Sequence, residues 1–360
     1  MPRGCFSTRS TMSRPSTSAW TTSRSAPGAA WLLRRLVASV AIIFAVVTFV
    51  FILIHLAPGK PCGHIGGGEY VDQIQCDRLI TQFGLDKSIP EQYWLYLVAL
   101  AHGNLGYSFS LHRPVRDAIA DTIPFTLQLA GAALALDFLL GLALGIYQAV
   151  RVNRLPDVVI GNVTLFIYSL PTFWLALLLL LIFGEKLRWF PVGGPNDPVL
   201  CPLVDSLYCV ADRLWHLVLP AATLGMVGAA GTARFQRAAM LEAATQDFVR
   251  TARAKGVPER RVVLRHQLRN ALLSFITRFG LAFPFLLTGA VLIETIYAWP
   301  GMGRLAFDAI LSRDYSLVTA TALIVSVVVV AGNLLADILL GIADPRLRVR
   351  ADPDAHVLTA

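Results

Sequence analysis

The chain has 360 residues, 55% of them hydrophobic and only 15% charged, well below the roughly 25% charged residues of an ordinary soluble domain. Its net charge of +8 would suit nucleic acid, but no nucleic-acid-binding module and no basic stripe interleaved with aromatics accompanies it. The apolar residues fall in long blocks with the charges between them, which excludes a soluble globular domain and leaves an all-α membrane protein.

Residues 1–30 are rich in Ser, Thr and Arg, the composition of a disordered tail. Met12 offers a second start, so a translated tail and an over-extended reading frame both stand. The tail lacks the apolar core of a cleavable signal peptide, so the first block, 31–57, is expected to persist as a transmembrane helix. An external loop region follows at 58–121. It opens on Pro58, Gly59 and Pro61, and helical periodicity returns from Ile89 to Leu100. Five further blocks lie within 122–342: Thr122 to Val150, Val158 to Gly184, Leu214 to Ala233, Asn270 to Ile293 and Tyr315 to Ile342. Each has about the 20 residues that a helix needs to cross a hydrocarbon layer near 30 Å thick. Residues 343–360 form a C-terminal tail. Six transmembrane helices are therefore expected.

An even number of spans puts both termini on one side. If that side is the cytoplasm, it carries 21 of the 31 Lys and Arg residues, the asymmetry that sets topology. Two cysteine pairs, Cys62 with Cys76 and Cys201 with Cys209, then lie in the first and second outside loops. Local disulfides are the favoured reading there, with free thiols as the alternative; the spacings fit no standard zinc site. Tyr297, Trp299 and Trp189 sit near outer span ends and read as an interfacial aromatic belt.

Between the fourth and fifth blocks lies a basic inside segment, Gln236 to Asn270. Phe248, Val249 and Ala252 are expected on one face of a short helix, with Arg250 and Arg253 turned away. Gly256 ends that helix and Pro258 opens the next. Such a helix suits either a cleft in a cytoplasmic partner or the lipid headgroups.

The run D-F-V-R-T-A-R-A-K-G-V-P-E-R-R-V-V-L-R-H-Q-L-R-N-A-L-L at 247–273 closely resembles the cytoplasmic coupling loop of the dipeptide/oligopeptide ABC importer permeases. L-A-P-G at 56–59, G-L-D-K-S-I-P-E-Q-Y at 84–93, H-G-N-L-G-Y-S at 102–108, L-V-L-P-A-A-T-L-G at 217–225, E-T-I-Y-A-W-P-G-M-G-R-L at 294–305, N-L-L-A-D at 333–337 and A-D-P-R-L-R at 343–348 are similar to that family's other motifs, in order. The literal Glu242-Ala243-Ala244 lacks the glycine of the wider E-A-A-x-x-x-G signature. Counting back from Gly256 aligns Arg250-Thr251-Ala252 with it instead.

The resemblance implies a type I ABC importer permease architecture with a coupling helix at 246–257, involving Asp247, Phe248, Arg250, Thr251, Ala252, Arg253, Lys255 and Gly256. It also implies the partners: a second homologous permease subunit, two ATP-binding subunits carrying ATP and Mg, and an extracytoplasmic peptide-binding protein, all at the inner membrane. The chain itself has no G-x-x-x-x-G-K-[ST] loop and no paired nucleophile and base, so it reads as a transport subunit rather than an enzyme. Asp137, Arg278, Asn333 and Asp337 are the polar groups within spans, each expected to meet protein or water. A stand-alone secondary transporter or channel is the competing reading.

Overall fold

The computed structural model describes residues 29–56, 86–201, 206–272 and 290–343. The tail, Cys62, Cys76, Arg278, residues 273–289 of the fifth block and the C-terminal segment lie outside them, as does the side chain of Asp337.

Helix α1 (Ala29–Leu56) packs along the last helix, α11 (Tyr315–Ala343). Helix α2 (Ile89–Ala101) starts with Pro90 in its first turn, where a missing N–H costs nothing. It is tied to α1 by Thr48 with Tyr93 at 2.6 Å and His55 with Gln92 at 3.0 Å. A two-residue hairpin, β1 (Tyr107–Ser108) with β2 (Arg113–Pro114), follows. Asp314 pins it: one carboxylate oxygen accepts from the Ser108 and Ser110 hydroxyls at 2.6 and 2.9 Å, while the other accepts the Leu317 N–H at 3.1 Å. One side chain thus caps α11 and holds the hairpin.

The centre of the fold is the pair α3 (Val115–Val150) and α6 (Ser206–Thr245). At about 54 and 60 Å they outrun the hydrocarbon layer. They run parallel, and small residues let their backbones close up: a Cβ on Gly145 would stand 2.6 Å from the Ala233 carbonyl, and one on Gly225 2.6 Å from Leu136. Lipid offers no hydrophobic drive for helix pairing, so such close contact supplies the attraction by dispersion.

The third block does not form one straight helix. Helix α4 (Leu155–Ser169) meets α5 (Thr172–Leu179, continuing as a π-helix over Leu180–Lys186) at an angle of 104°. Pro171 is the cause. It has no N–H to donate and forces Leu170 out of the helical region, to ψ 137°. Among the described residues, four helices are long and apolar enough to cross a membrane, or five if the bent pair counts as one span.

In the connection from α5 to α6, Cys201 and Cys209 are joined by a disulfide. The Asp197 N–H donates to the Asp212 carboxylate at 2.6 Å, so the loop is fastened to the first turns of α6. Helices α9 (Val291–Ile296) and α10 (Met302–Leu311) close the bundle. One core collects Leu129, Ala133, Phe138, Leu224, Ile293 and Trp299; a second collects Val115, Ile119, Met302 and Leu317.

Candidate functional site

The basic segment folds as helix α7 (Asp247–Ala254) followed by a sharp reversal into α8 (Glu259–Arg261), which widens into a π-helix over Val262–Gln267. Two hydrogen bonds close the reversal: Gly256 N–H to the Arg253 carbonyl at 2.9 Å and Val257 N–H to the Ala252 carbonyl at 3.2 Å. This is a Schellman ending, with Gly256 left-handed at φ 72°. Pro258 is the cap of α8, just before its first turn.

Val249 and Ala252 point inward and pack on Val262 and Val257. Phe248 does not join them and is 40% exposed. It lies one residue, or about 100° of helix rotation, from Val249, and the small core under α7 is filled by Val262. Ala252, read from the sequence as a coupling position, is buried and packs under the turn. Asp247, Phe248, Arg250, Thr251, Arg253, Lys255 and Gly256 are all on the surface. Arg253 is braced by Glu259 at 2.7 Å, and its guanidinium holds the Glu259 carboxyl below the ordinary 4.5. A depressed carboxyl means that the brace is intact at neutral pH and is lost as pH falls below 4.5 through the lowered value. At this exposure the pair is worth at most about 1 kcal/mol, so thermal stability is expected to be flat in pH from 8 to 6 as far as this contact is concerned.

The intramembrane candidates separate. Asp137 is buried in the seam between α3 and α6, where its Oδ1 accepts the Thr232 hydroxyl at 2.6 Å and its Cγ would stand 2.7 Å from a Cβ on Gly228. Asn333 is exposed on α11. The structure does not bring these two together.

Two further arrangements escape the sequence reading. At the α7 end of the bundle, Arg237 of α6 grips the buried Asp157 of α4 with two hydrogen bonds of 2.8 Å. The Asn153 N–H donates to the same carboxylate at 2.9 Å, and the Gln148 amide of α3 donates to the Asp157 carbonyl at 3.2 Å. A cavity of about 720 Å³ opens beside this clamp, with Asn162, Tyr168 and Arg234 also on its wall. The signal in the sequence is a lone acid, Asp157, in a connection whose other charges are Arg151 and Arg154.

At the opposite end the segment 294–304 is a buried knot. Glu294 is fully buried and accepts the Thr126 hydroxyl at 3.0 Å and the Arg304 N–H at 2.8 Å. Tyr297 and Trp299, expected in an aromatic belt, are 1% and 0% exposed. The Tyr297 hydroxyl donates to the Ala176 carbonyl at 3.0 Å, and the Trp299 indole N–H to the Phe125 carbonyl at 2.9 Å. Each ring buries its apolar body and finds a partner for its polar tip. The reversal at Ala298, Pro300 and Gly301 folds them back under the bundle end, which proximity to a span end in the sequence does not reveal. Trp189 alone of the three is on the surface, at 58%.

Comparison with known proteins covers most of the chain. Residues 141–349 match the family described as binding-protein-dependent transport system inner membrane component, and residues 29–130 match the N-terminal region of such membrane components. The chain is 40% identical to the di/tripeptide transport system permease protein of Pseudomonas aeruginosa over 330 residues, 88% of this chain and 98% of that one. It is 36% identical to the glutathione transport system permease protein of Escherichia coli K12 over 320 residues, 89% and 99% of the two chains. The chain therefore belongs to the family of inner membrane components of binding-protein-dependent transport systems, as a permease.

Proposed function

We propose that this chain forms half of the translocation pathway of an ATP-driven importer of short peptides, with a second, homologous permease as the other half. Two ATP-binding subunits dock on residues 246–257, and an extracytoplasmic peptide-binding protein delivers cargo to the opposite end. In this reading the chain crosses the bilayer six times with both termini in the cytoplasm, the block Asn270 to Ile293 supplying one crossing and the bent α4–α5 pair another. Hydrolysis takes place on the ATP-binding subunits, and this chain transmits the motion. Relatives named for di/tripeptide and for glutathione transport support cargo of two or three residues.

The observation that carries the reading is α7 itself: a short helix held rigid from below by Val249, Ala252 and Val262, reversed at Gly256, and offering Phe248, Arg250, Thr251 and Lys255 outward. An aromatic knob ringed by cations on a helix between two spans is the form that an apolar cleft in a partner accepts. The test is co-purification of ATP-binding subunits with the intact chain and with Gly256→Val. Nothing lies within 4 Å of a Cβ at Gly256, so the substitution acts through the left-handed backbone alone, at about 1–2 kcal/mol. The intact chain is expected to retain the ATP-binding subunits and the variant to lose most of them. Failure of the intact chain, expressed with its own partners, to retain any would overturn the reading in favour of a stand-alone transporter.

A further inference from the structure

The helical segment that leads away from the α7 turn carries two ridges at four-residue spacing. One is Arg261, Arg265 and Arg269; beside it runs Leu264, Leu268 and Leu272. Both ridges line a single open groove of about 640 Å³. The opposite side of the segment is spent on the protein: Val262, Gln267 and Ala271 are buried. The three arginines are on the surface and Leu264 is half exposed. Among the described residues no carboxylate lies within ion-pair distance of these arginines or of neighbouring Arg260, and the one nearby acid, Glu259, is engaged by Arg253.

Four cations beside a leucine ridge need an occupant that is anionic at one end and apolar at the other. The sequence from 273 to Ile293 carries a single charge, Arg278, so along the chain the groove is followed directly by a stretch with the composition of hydrocarbon. We propose that it binds an anionic phospholipid of the leaflet beside α7. The phosphodiester is gripped by Arg265 and Arg269, whose planar guanidinium groups make paired hydrogen bonds to phosphate oxygens, and an acyl chain lies along Leu264, Leu268 and Leu272. The lipid thereby anchors the segment that carries the coupling turn, in the manner of basic amphipathic helices at anionic membranes.

The test is a titration of the detergent-purified complex, together with its partner subunits, using phosphatidylglycerol and phosphatidylcholine, with bound lipid counted by native mass spectrometry. Phosphatidylglycerol is expected to bind more tightly than phosphatidylcholine, and raising salt from 50 to 500 mM should narrow the difference. Each arginine contributes about five-fold in affinity near an anionic surface, so R265Q/R269Q should weaken phosphatidylglycerol about 25-fold while R265K/R269K keeps most of it. Equal binding of the two lipids by the intact complex would overturn the proposal, and that readout needs no variant to fold. So would a double variant that keeps phosphatidylglycerol but sheds the ATP-binding subunits, since the ridge would then be a protein contact. Lipid preference in a chain that retains no ATP-binding subunit would sustain this inference while sinking the coupling role of α7.

Discussion

Replacing Arg237 with Gln is expected to destabilise the protein by about 3 kcal/mol, read as a large drop in thermal unfolding temperature in detergent. The reason is asymmetry. Asp157 is buried and its carboxylate holds four groups in register, two of them the guanidinium donors at 2.8 Å. Removing the guanidinium leaves a buried carboxylate with the Asn153 N–H at 2.9 Å and the distant end of Gln148. The cost is that of an uncompensated charge, larger than the net worth of the intact pair. Adding Asp157→Asn to the same chain should therefore recover most of the loss, and the double-mutant cycle should show strong coupling. Additive single effects would mean that the two groups do not act as a pair. Because the clamp ties the end of α3, the start of α4 and the C-terminal part of α6, transport is expected to fall along with stability.

The second large effect is expected at Gly301. A methyl group there would overlap the Glu294 carboxylate, and at Gly303 it would stand 2.8 Å from the same group and 2.9 Å from the Val291 Cα. Glu294 has nowhere to go: it is fully buried and already receives the Thr126 hydroxyl and the Arg304 N–H. Thr126 in turn accepts the Met302 N–H at 2.7 Å, so displacing one carboxylate breaks the link between α3 and the start of α10. Overpacking alone costs about 1–3 kcal/mol, and dislodging a buried, hydrogen-bonded carboxyl group adds to it, so Gly301→Ala should yield little folded protein in size-exclusion profiles of detergent extracts. Gly103→Ala is the control. Its φ is positive, at 73°, where that of Gly301 is −95°, but it has open space around it, and Ala there is expected to lower yield far less. Because Gly301 sits in an ordinary extended conformation, a loss there no larger than at Gly103 would show that the overlap with Glu294 does not govern the knot.

The parts of this architecture that are legible in the sequence are the local ones. The α7 turn is written in ten consecutive residues, with apolar positions three apart and a glycine where the chain must turn left-handed. The apolar blocks declare themselves by length. What the sequence hides is long-range. Asp137 meets Thr232 across 95 residues, Asp157 meets Arg237 across 80, and Trp299 meets Phe125 across 174; no spacing rule joins them. Tyr297 and Trp299 carry the composition of an interface belt and differ from Trp189 only in the direction that the next few residues take. Phe248 differs from Val249 by one step of rotation. The bend in the third block is the exception, since Pro171 stands in its middle and marks the break in plain sight.

That break has a consequence for how tightly the membrane is sealed. A straight helix presents hydrocarbon with no unpaired main-chain groups; a helix turned through 104° cannot. Around Ser169, Leu170 and Pro171 the ladder is interrupted and carbonyl groups lose their next partner, while Phe166, Phe173 and Trp174 on either side are exposed in the isolated chain. Acyl chains have no donors to offer those carbonyls. The corner therefore has to be turned toward water or toward another polypeptide, and a single copy of this chain, left alone in lipid, would be a leaky wall at that point.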